Sequence, residues 1–591
     1  MKNNLKTRLL ALLLCLVMLF SVACTTQENP PSGEPNTPES GEPEQPEEDY
    51  PENGTKTILS ETKNMYVSSD VVEELLVAYY EDCPEILLIS ADTAVEDFFA
   101  GFLGELVGAY EIDETETELK ITRGNGAYCI LNFVEDTIYF NNFDLFNAAR
   151  SDTTADILGF PYVDEEGNSI YFQMTDSLNI AGLPIKIDLA ARNIPLDIYE
   201  DQKYIPLQTF NDVFLAPQSW NVTYNSRDLF IFANGAVSPA LEEQYYSVGA
   251  IERSEALAEY TANEFCLLLD LYYGLQDEHG VLVGFNTFLA HTGLWDDLTS
   301  TDANKSSLAI ASLMFGFLAD KHSSISKPSP YTGTPNVDKT SIIVDSSITH
   351  SVMFDRAITA ARNELMPNGV PGYQEIGNTA YITFDSFTIS DVRAEPYSEA
   401  SWEPVDTLGL IIYAHQQITR EDSIIENVVL DLSCNGGGAA DAAIYVVAWM
   451  LGYCDLHMTN PITNSYSTAS YVVDVNLDGE FNEKDSVADK NLYCIISPSS
   501  FSCGNLVPSL LKESGKVTLL GGTSGGGACA VLNASAADGT LFTISSPLHL
   551  CVVSNGSYYT VDRGVDPHYY FGKFESYFDR DALTDFINEL K

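Results

Sequence analysis

Positive charge is scarce in this chain, and several common site patterns are missing. The 591 residues include 29 Lys plus Arg against 85 Asp plus Glu, for a formal net charge of −56. A surface of this sign repels nucleic acid and anionic lipid, so we expect no nucleic-acid partner. The eleven cysteines form no CxxC pair and no zinc-ligand spacing, which favours small buried thiols over a metal site or an essential disulfide.

Long apolar runs are also few, and the main one lies at the start of the chain. The run Leu9–Phe20 follows basic residues and is too short to span a bilayer, which is typical of a secretory signal. The small residues Ser21–Ala23 directly precede Cys24 and resemble a bacterial lipobox. We therefore expect a lipoprotein signal peptide over residues 1–23 and a lipidated Cys24 at the extracellular face of a bacterial membrane. Ordinary secretion with cleavage near Ala23 is the alternative.

The remainder of the chain divides by composition and periodicity. Residues 24–56 are rich in Pro, Glu, Gly and Ser and predict a disordered tether. Residues 57–245 predict a β-rich α+β accessory domain without a catalytic constellation. From residue 250 to 591, alternating strands and helices predict an α/β catalytic domain with parallel strands, comprising a helical cap at about 250–325 and a core at about 375–575.

Within the accessory region, short apolar runs predict strands, as at 138–140 and 229–232. Helices are expected near Val71–Tyr80 and Val95–Tyr110. We interpret this region as a spacer or a substrate-presenting module.

Two strand-to-helix turns of the core carry residues suited to catalysis, since sites in α/β sheets form at the carboxyl ends of strands. The first, Ser433–Gly438, ends in three consecutive glycines, whose backbone N–H groups can face a cleft without obstruction. It suits an oxyanion hole or a phosphate, but the Lys of a nucleotide-binding loop is missing. The second, Ser499–Asn505, places Ser502 near a helix N-terminus, where a serine is either a nucleophile or only a helix cap.

With two further segments, these turns resemble the tail-specific, or C-terminal-processing, serine peptidases, particularly their tricorn-like branch. The resemblance covers about residues 255–575 and implies a ClpP/crotonase-like core with crossover helices, peptide or protein substrates, and no cofactor for the chemistry. No segment supplies a PDZ domain, which puts recognition of free C-terminal tails in doubt. The segments that carry the resemblance are Val429–Leu432 with Asn435–Gly438, Ser500–Asn505, Leu520–Gly527 and Arg563–Pro567.

The resemblance implies that Ser502 is the acyl-forming nucleophile. It places the oxyanion donors at the backbone N–H of Cys503 and of Gly437 or Gly438. A thiol nucleophile at Cys503 is the alternative, but its motif position is usually filled by a small residue, so we interpret it as packing.

The general base must come from elsewhere, because Gly525–Gly527 stand where the processing-protease branch has its Lys. The tricorn-like branch uses the His of an Asp-x-His motif, which His322 matches; a neutral imidazole can take a serine proton near pH 7. The third partner is open. Ser323 and Asp562 are the nearest candidates by motif position, and Asp320 serves either there or as a cap.

Residues 474–485 match the loop pattern of EF-hand or dockerin calcium sites, with Gly479 at position 6. We expect a structural Ca²⁺ there; an acidic surface turn that binds nothing is the alternative. The predicted ligands are Asp474, Asn476, Asp478, Glu480, Asn482 and Asp485.

Taken together, the sequence predicts an exported serine peptidase that touches the membrane only through its lipid anchor. The alternative is a non-catalytic surface lipoprotein that binds peptides or other ligands in the same cleft.

Overall fold

The structure is a computed structural model of the whole chain. It describes residues 57–148, 153–159, 162–163, 168–233, 237–337, 342–390 and 405–590, without the side chains of Glu105 and Leu106. The predicted signal peptide, the lipidated Cys24 and the tether lie outside these residues. Within them, no helix is both long enough and apolar enough to cross a bilayer.

The strands are numbered in chain order. They are β1 Ile58–Tyr66, β2 Val72–Tyr80, β3 Cys83–Ser90, β4 Tyr110–Glu114, β5 Glu118–Arg123, β6 Tyr128–Asn132, β7 Thr137–Phe140, β8 Phe172–Ile180, β9 Ile185–Asp188, β10 Asp197–Tyr199, β11 Gln202–Pro206, β12 Trp220–Tyr224, β13 Leu229–Ala233, β14 Ser324–Lys327, β15 Tyr373–Ile376, β16 Thr379–Thr383, β17 Asn427–Asp431, β18 Cys454–Asn460, β19 Ser465–Val473, β20 Asn491–Ile496, β21 Val517–Gly521, β22 Cys529–Ser535, β23 Leu541–Ser554, β24 Ser557–Thr560 and β25 Tyr569–Tyr570.

The α-helices are numbered in the same way, and π-helical turns extend some of them. They are α1 Ala91–Thr93, α2 Leu103–Val107, α3 Phe143–Asn147, α4 Leu207–Phe210, α5 Pro239–Tyr245, α6 Glu255–Tyr272, α7 Phe285–Thr292, α8 Trp295–Leu298, α9 Ala303–Ser312, α10 Ser346–Leu365, α11 Thr407–Thr419, α12 Ala440–Leu451, α13 Cys503–Glu513 and α14 Arg580–Glu589. The π-helical segments are Ala94–Phe102, Asn211–Leu215 and Leu313–Leu318.

The N-terminal half is β-rich. One sheet runs in the order β10-β11-β3-β2-β1-β13-β12, and a second runs β4-β5-β6-β7-β9. The helix predicted over Val71–Tyr80 is wrong: β2 pairs with β1 along nine residues in antiparallel register. Valine, leucine and tyrosine suit a half-buried strand, and pairing in the sheet overrides the local helical spacing. The second expected helix is present in part, as the π-helical segment and α2.

A six-stranded sheet in the order β15-β16-β17-β20-β21-β25 forms the C-terminal core. Strands β16, β17, β20 and β21 are parallel neighbours in register. Every residue of β17 is buried, which is the pattern of a strand covered on both faces. Helix α12 follows β17 and α13 joins β20 to β21, so the predicted α/β core with parallel strands and crossover helices is confirmed.

A second sheet packs beside this core in the order β14-β23-β18-β19-β8, with β22 and β24 also paired to β23. Its edge strand β8 comes from the segment assigned by sequence to the accessory region, and it pairs with β19. A fully buried ion pair, Arg253 to Asp538 at 2.8 Å, ties the start of the cap to this sheet. One hydrophobic cluster also contains buried residues of both the accessory region and the cap, so apolar packing is continuous across the boundary near residue 250.

Candidate active site

Ser502 lies at the turn between β20 and α13, with φ +55° and ψ −123°. A positive φ is uncommon for a residue with a Cβ, and such strain concentrates at functional sites. The side chain of Ser502 makes no capping bond, although its carbonyl accepts the N–H groups of Asn505 and Leu506, each at 2.8 Å. The interpretation of this serine as a mere helix cap is therefore wrong.

The nucleophile turn is held on both sides by backbone hydrogen bonds. Ser502 donates its N–H to the carbonyl of Gly526 at 2.9 Å, and Gly525 donates to the carbonyl of Ser500 at 2.7 Å. Phe501 donates to the carbonyl of Asn435 at 3.0 Å, in the glycine turn after β17. The structure thus brings three of the segments singled out by sequence against one another.

The glycine turn packs directly on the nucleophile. A Cβ added to Gly437 would lie 2.7 Å from the Cβ of Ser502, so only glycine fits there. However, Gly437 donates its N–H to Oδ1 of Asn435 at 2.9 Å, so of the two predicted glycine donors this one is occupied in the substrate-free state. In the described part of the chain, the N–H groups of Gly438 and Cys503 donate to no acceptor, and they are the donors left to face a substrate.

His322 is fixed by its own turn and by β23. Its N–H donates to Oδ1 of Asp320 at 3.1 Å, and its carbonyl accepts the hydroxyl of Thr543 at 2.7 Å. Strand β14 starts two residues later and pairs with β23, which carries Thr543 and Ser545 to the imidazole. This register explains why a cap residue reaches the edge of the core.

The imidazole of His322 lies beside the nucleophile turn. Its centroid is 4.7 Å from that of Phe501, the residue before Ser502. The ring is buried, and its Nε2 has no hydrogen-bond partner among the described residues. The hydrogen bond from Ser502 is therefore not formed in this state; catalytic hydrogen bonds of substrate-free enzymes are often long and tighten in the complex.

Burial holds the pKa of His322 below its ordinary value. The carboxylates of Asp320 and Asp562 oppose this effect, and the nearby charge of Lys321 adds to it. The imidazole is therefore neutral near pH 7, which is the form that accepts a proton.

The candidates for the third partner occupy other places than expected. Ser323 donates its hydroxyl to Oδ2 of Asp320 at 2.6 Å, so this pair stabilises the turn. Asp562 accepts the N–H of Ala528 at 3.1 Å through Oδ1 and makes no hydrogen bond to His322 among the described residues. The hydroxyl of Ser545 lies within hydrogen-bond distance of Nδ1 of His322, at 3.5 Å.

Sequence reasoning missed Ser545, and a weak signal for it exists. Thr543 and Ser545 are polar residues two apart in the long strand β23, and that spacing places both side chains on the same face. Only the pairing of β14 with β23 shows which residue they face.

Cys503 behaves as a packing residue. Its Sγ donates to the carbonyl of Gly438 at 3.2 Å, and burial raises the pKa of the thiol to about 12. A thiol that stays protonated is a poor nucleophile.

The predicted calcium loop has the expected backbone course in its first half. Gly479 has φ +79°, and Asp474 accepts the N–H groups of Leu477 and Gly479 at 2.8 and 2.9 Å. In contrast, the carboxylate of Asp485 is turned to the backbone, where it accepts N–H groups of the loop. Within the described residues, no three acidic, histidine or cysteine side chains converge on one point, so the predicted ligands form no ready-made cage.

The fold brings a serine with positive φ, a buried imidazole and backbone N–H donors together at the carboxyl edge of a parallel sheet. Residues 378–571 match peptidase family S41. The match confirms the family resemblance predicted from the sequence over the α/β core, which holds Ser502 and the glycine turn. No curated protein matches the chain.

Solved structures that match parts of this chain include peptidases and a lipoprotein. The photosystem II D1 C-terminal processing protease is 16% identical over 33% of this chain and 42% of that chain, with a TM-score of 0.25. A lipoprotein from Streptococcus agalactiae is 13% identical over 57% and 96%, with a TM-score of 0.34. Mature CPAF in complex with lactacystin is 11% identical over 56% and 100%, with a TM-score of 0.35. The chain spans less than half of the D1 processing protease, and TM-scores this low say nothing about its substrate.

Proposed function

We propose that this protein is an exported serine peptidase that cleaves peptide bonds through an acyl-enzyme on Ser502. The observation that carries the proposal is the junction of three segments: Ser502 strained at the start of α13, Gly437 packed on its Cβ, and His322 buried against Phe501. The match of residues 378–571 to peptidase family S41 supports it.

In the proposed reaction, Nε2 of His322 takes the proton of Ser502 as the serine oxygen bonds to the substrate carbonyl carbon. The carbonyl electron pair moves onto oxygen, where the N–H groups of Cys503 and Gly438 donate to it. As the intermediate collapses, the C–N bond breaks and His322 gives the proton to the leaving amine. In the second half, His322 takes a proton from water as the water oxygen bonds to the acyl carbon. The ester bond to Ser502 then breaks, and His322 returns the proton to the serine oxygen.

The decisive test is labelling of Ser502 by a fluorophosphonate, with the modified peptide located by mass spectrometry. We expect labelling of the wild type, none in Ser502→Ala, and strong loss in His322→Ala. The exposed residues Ser557 and His291 supply matched controls, Ser557→Ala and His291→Ala, which should label as the wild type.

Hydrolysis of a pooled peptide library by the same proteins tests the substrate class. Cleavage that Ser502→Ala abolishes would establish peptidase activity. If the folded wild type neither labels nor cleaves, the protein is instead a surface lipoprotein that binds ligands in this cleft.

We propose that Cys24 is diacylated and holds the peptidase at the extracellular face of a bacterial membrane. The support is the order of basic, apolar and small residues before Cys24. Metabolic labelling with an alkyne fatty acid should mark the wild type and not Cys24→Ala. Equal labelling of both proteins would contradict the anchor.

We propose that residues 474–485 bind a structural Ca²⁺. The left-handed Gly479 and the turns around Asp474 support the loop course, whereas Asp485 would have to turn from the backbone towards the ion. Calcium should raise the melting temperature of the wild type and not that of Asp474→Ala. Glu483→Gln, at an exposed position that is not a predicted ligand, is the control, and equal melting with calcium and with chelator would contradict the site.

A further inference from the structure

The aromatic ring of Phe501 is shared by the nucleophile turn and the base turn. Nζ of Lys321 lies 4.2 Å from its centroid, and the imidazole of His322 lies 4.7 Å from it. A Cβ added to Gly527 would come within 2.5 Å of the same ring. The ring of Phe501, the residue before Ser502, is therefore in close contact with Lys321, His322 and Gly527.

Lys321 also binds the glycine run that supports Ser502. Its Nζ donates to the carbonyl of Gly525 at 3.1 Å, and Gly525 in turn donates its N–H to Ser500 at 2.7 Å. One side chain thus connects the base turn, the glycine run and the nucleophile turn. Lysine and arginine are scarce in this strongly acidic chain, so the positive charge of Lys321 at this place is unusual for the protein.

We propose that Lys321 is a positioning residue of the catalytic site, which holds the Phe501 ring beside His322 and keeps a positive charge next to the imidazole. An ammonium over an aromatic face is attracted by the ring, and this attraction grows when the pair is shielded from water. The inference rests on the proposed function in one respect, namely that His322 is the base for Ser502.

The charges around His322 give this cation a chemical role. The charges of Asp320, in the same turn, and of Asp562, in the segment after β24, act on the imidazole and favour its protonated form. Cys529 and Tyr273 lie near the same carboxylates, and burial raises the pKa of both groups, so they stay neutral. Lys321 opposes the two carboxylates and favours the neutral form of His322 that accepts a proton.

The first readout is the pKa of His322, measured by NMR on full-length protein carrying ¹³C-labelled histidine. The signal is assigned by its loss in His322→Gln. We expect Lys321→Met and Lys321→Gln to raise the pKa of His322, and Lys321→Arg, which keeps the positive charge, to leave it at the wild-type value. Lys305→Met, at an exposed lysine of the same cap, is the control. An unchanged or lowered pKa in both neutral variants overturns the proposal, and using two of them guards against one that fails to fold.

The second readout is the rate of fluorophosphonate labelling of Ser502 as a function of pH. Loss of Lys321 should shift the acid limb of the profile to higher pH, so the variant loses more rate at pH 6 than at pH 8. A wild type that does not label would sink the proposed peptidase function, while a raised His322 pKa in Lys321→Met would still support the placement of Lys321. If the wild type labels but the pKa of His322 is unchanged in Lys321→Met, the proposed peptidase function stands and the role of Lys321 is refuted.

Discussion

The nucleophile turn and the base turn are built in different ways. The first leaves β20 of the parallel sheet, and its backbone is bonded to the glycine turn and to the glycine run after β21. The second lies between the cap and β14, and it contacts the nucleophile turn through the ring of Phe501, against which His322 and the side chain of Lys321 pack. The nucleophile is therefore fixed by main chain, and the base is fixed by side chains.

This difference predicts where the site is sensitive. The nucleophile turn is disturbed by any added group that displaces its main chain. The contact between the base turn and the nucleophile turn is disturbed when the ring of Phe501 alone moves. Substitutions on each side therefore separate loss of the nucleophile from loss of its alignment with the base.

The largest effect should come from Gly437→Ala. The new Cβ would lie 2.7 Å from Ser502 and the residue has φ +106°, so the turn must shift away from the nucleophile. We expect labelling of Ser502 to fall by about 10²–10³-fold, as for loss of one oxyanion donor, because the shift also displaces the N–H of the neighbouring Gly438. Gly436→Ala has open space at its Cβ and should keep nearly full reactivity, and equal losses in both variants would show that the turn tolerates no side chain at all.

A smaller loss should follow from Gly527→Ala, which displaces the side chain of Phe501 and leaves the backbone around Ser502 in place. Its Cβ would meet the ring of Phe501 at 2.5 Å, and a ring can yield where backbone cannot. We expect slower labelling than in the wild type and a loss of protection of His322 from diethyl pyrocarbonate. Gly556→Ala also has a positive φ but open space around its Cβ, so it controls for backbone strain alone. Unchanged His322 protection in Gly527→Ala would mean that the ring does not hold the base.

The same contrast explains how much of the site could be predicted from sequence. Ser502 and the triglycine turn follow buried strands directly, so local pattern placed both. Ser545 could not be assigned, because its contact with His322 depends on the pairing of β14 with β23 more than two hundred residues away. Asp562 was selected by motif position, yet in the structure its carboxylate accepts a hydrogen bond from the N–H of Ala528. The helix wrongly predicted at β2 has the same cause, since cross-strand pairing is not visible locally.

The cap that carries the base has its own anchor, and it predicts a pH dependence of stability. Glu264 on α6 is fully buried and accepts the hydroxyl of Thr209, and burial raises its pKa to about 7. Burial and the charge of Glu264 also raise the pKa of the buried Asp212 carboxyl, so the two groups titrate together. Because the folded state holds this proton more tightly than the unfolded state, the stability it contributes is complete below the ordinary Glu pKa of about 4.3 and is lost as pH rises towards 7.

Glu264→Gln should therefore flatten the fall in unfolding free energy between about pH 4.5 and 7, by on the order of 1–3 kcal/mol. Chemical denaturation at a series of pH values measures this change. Glu259→Gln, at an exposed position on the same helix, should retain the slope of the wild type. If Glu264→Gln retains that slope too, Asp212 and not Glu264 carries the titration in this range.

The smallest effect on reactivity should come from Asp562→Asn, which tests the electrostatics of His322 most directly. Its carboxylate favours the protonated form of His322, so its removal should lower the pKa of the imidazole. The acid limb of the labelling profile should then shift to lower pH, opposite in sign to the shift for Lys321→Met. An acid limb that moves upward, or a loss of reactivity at every pH, would instead mark Asp562 as a residue that orients the base directly. Opposite shifts from these two residues would establish that the base, unlike the nucleophile, is tuned by the side chains that surround it.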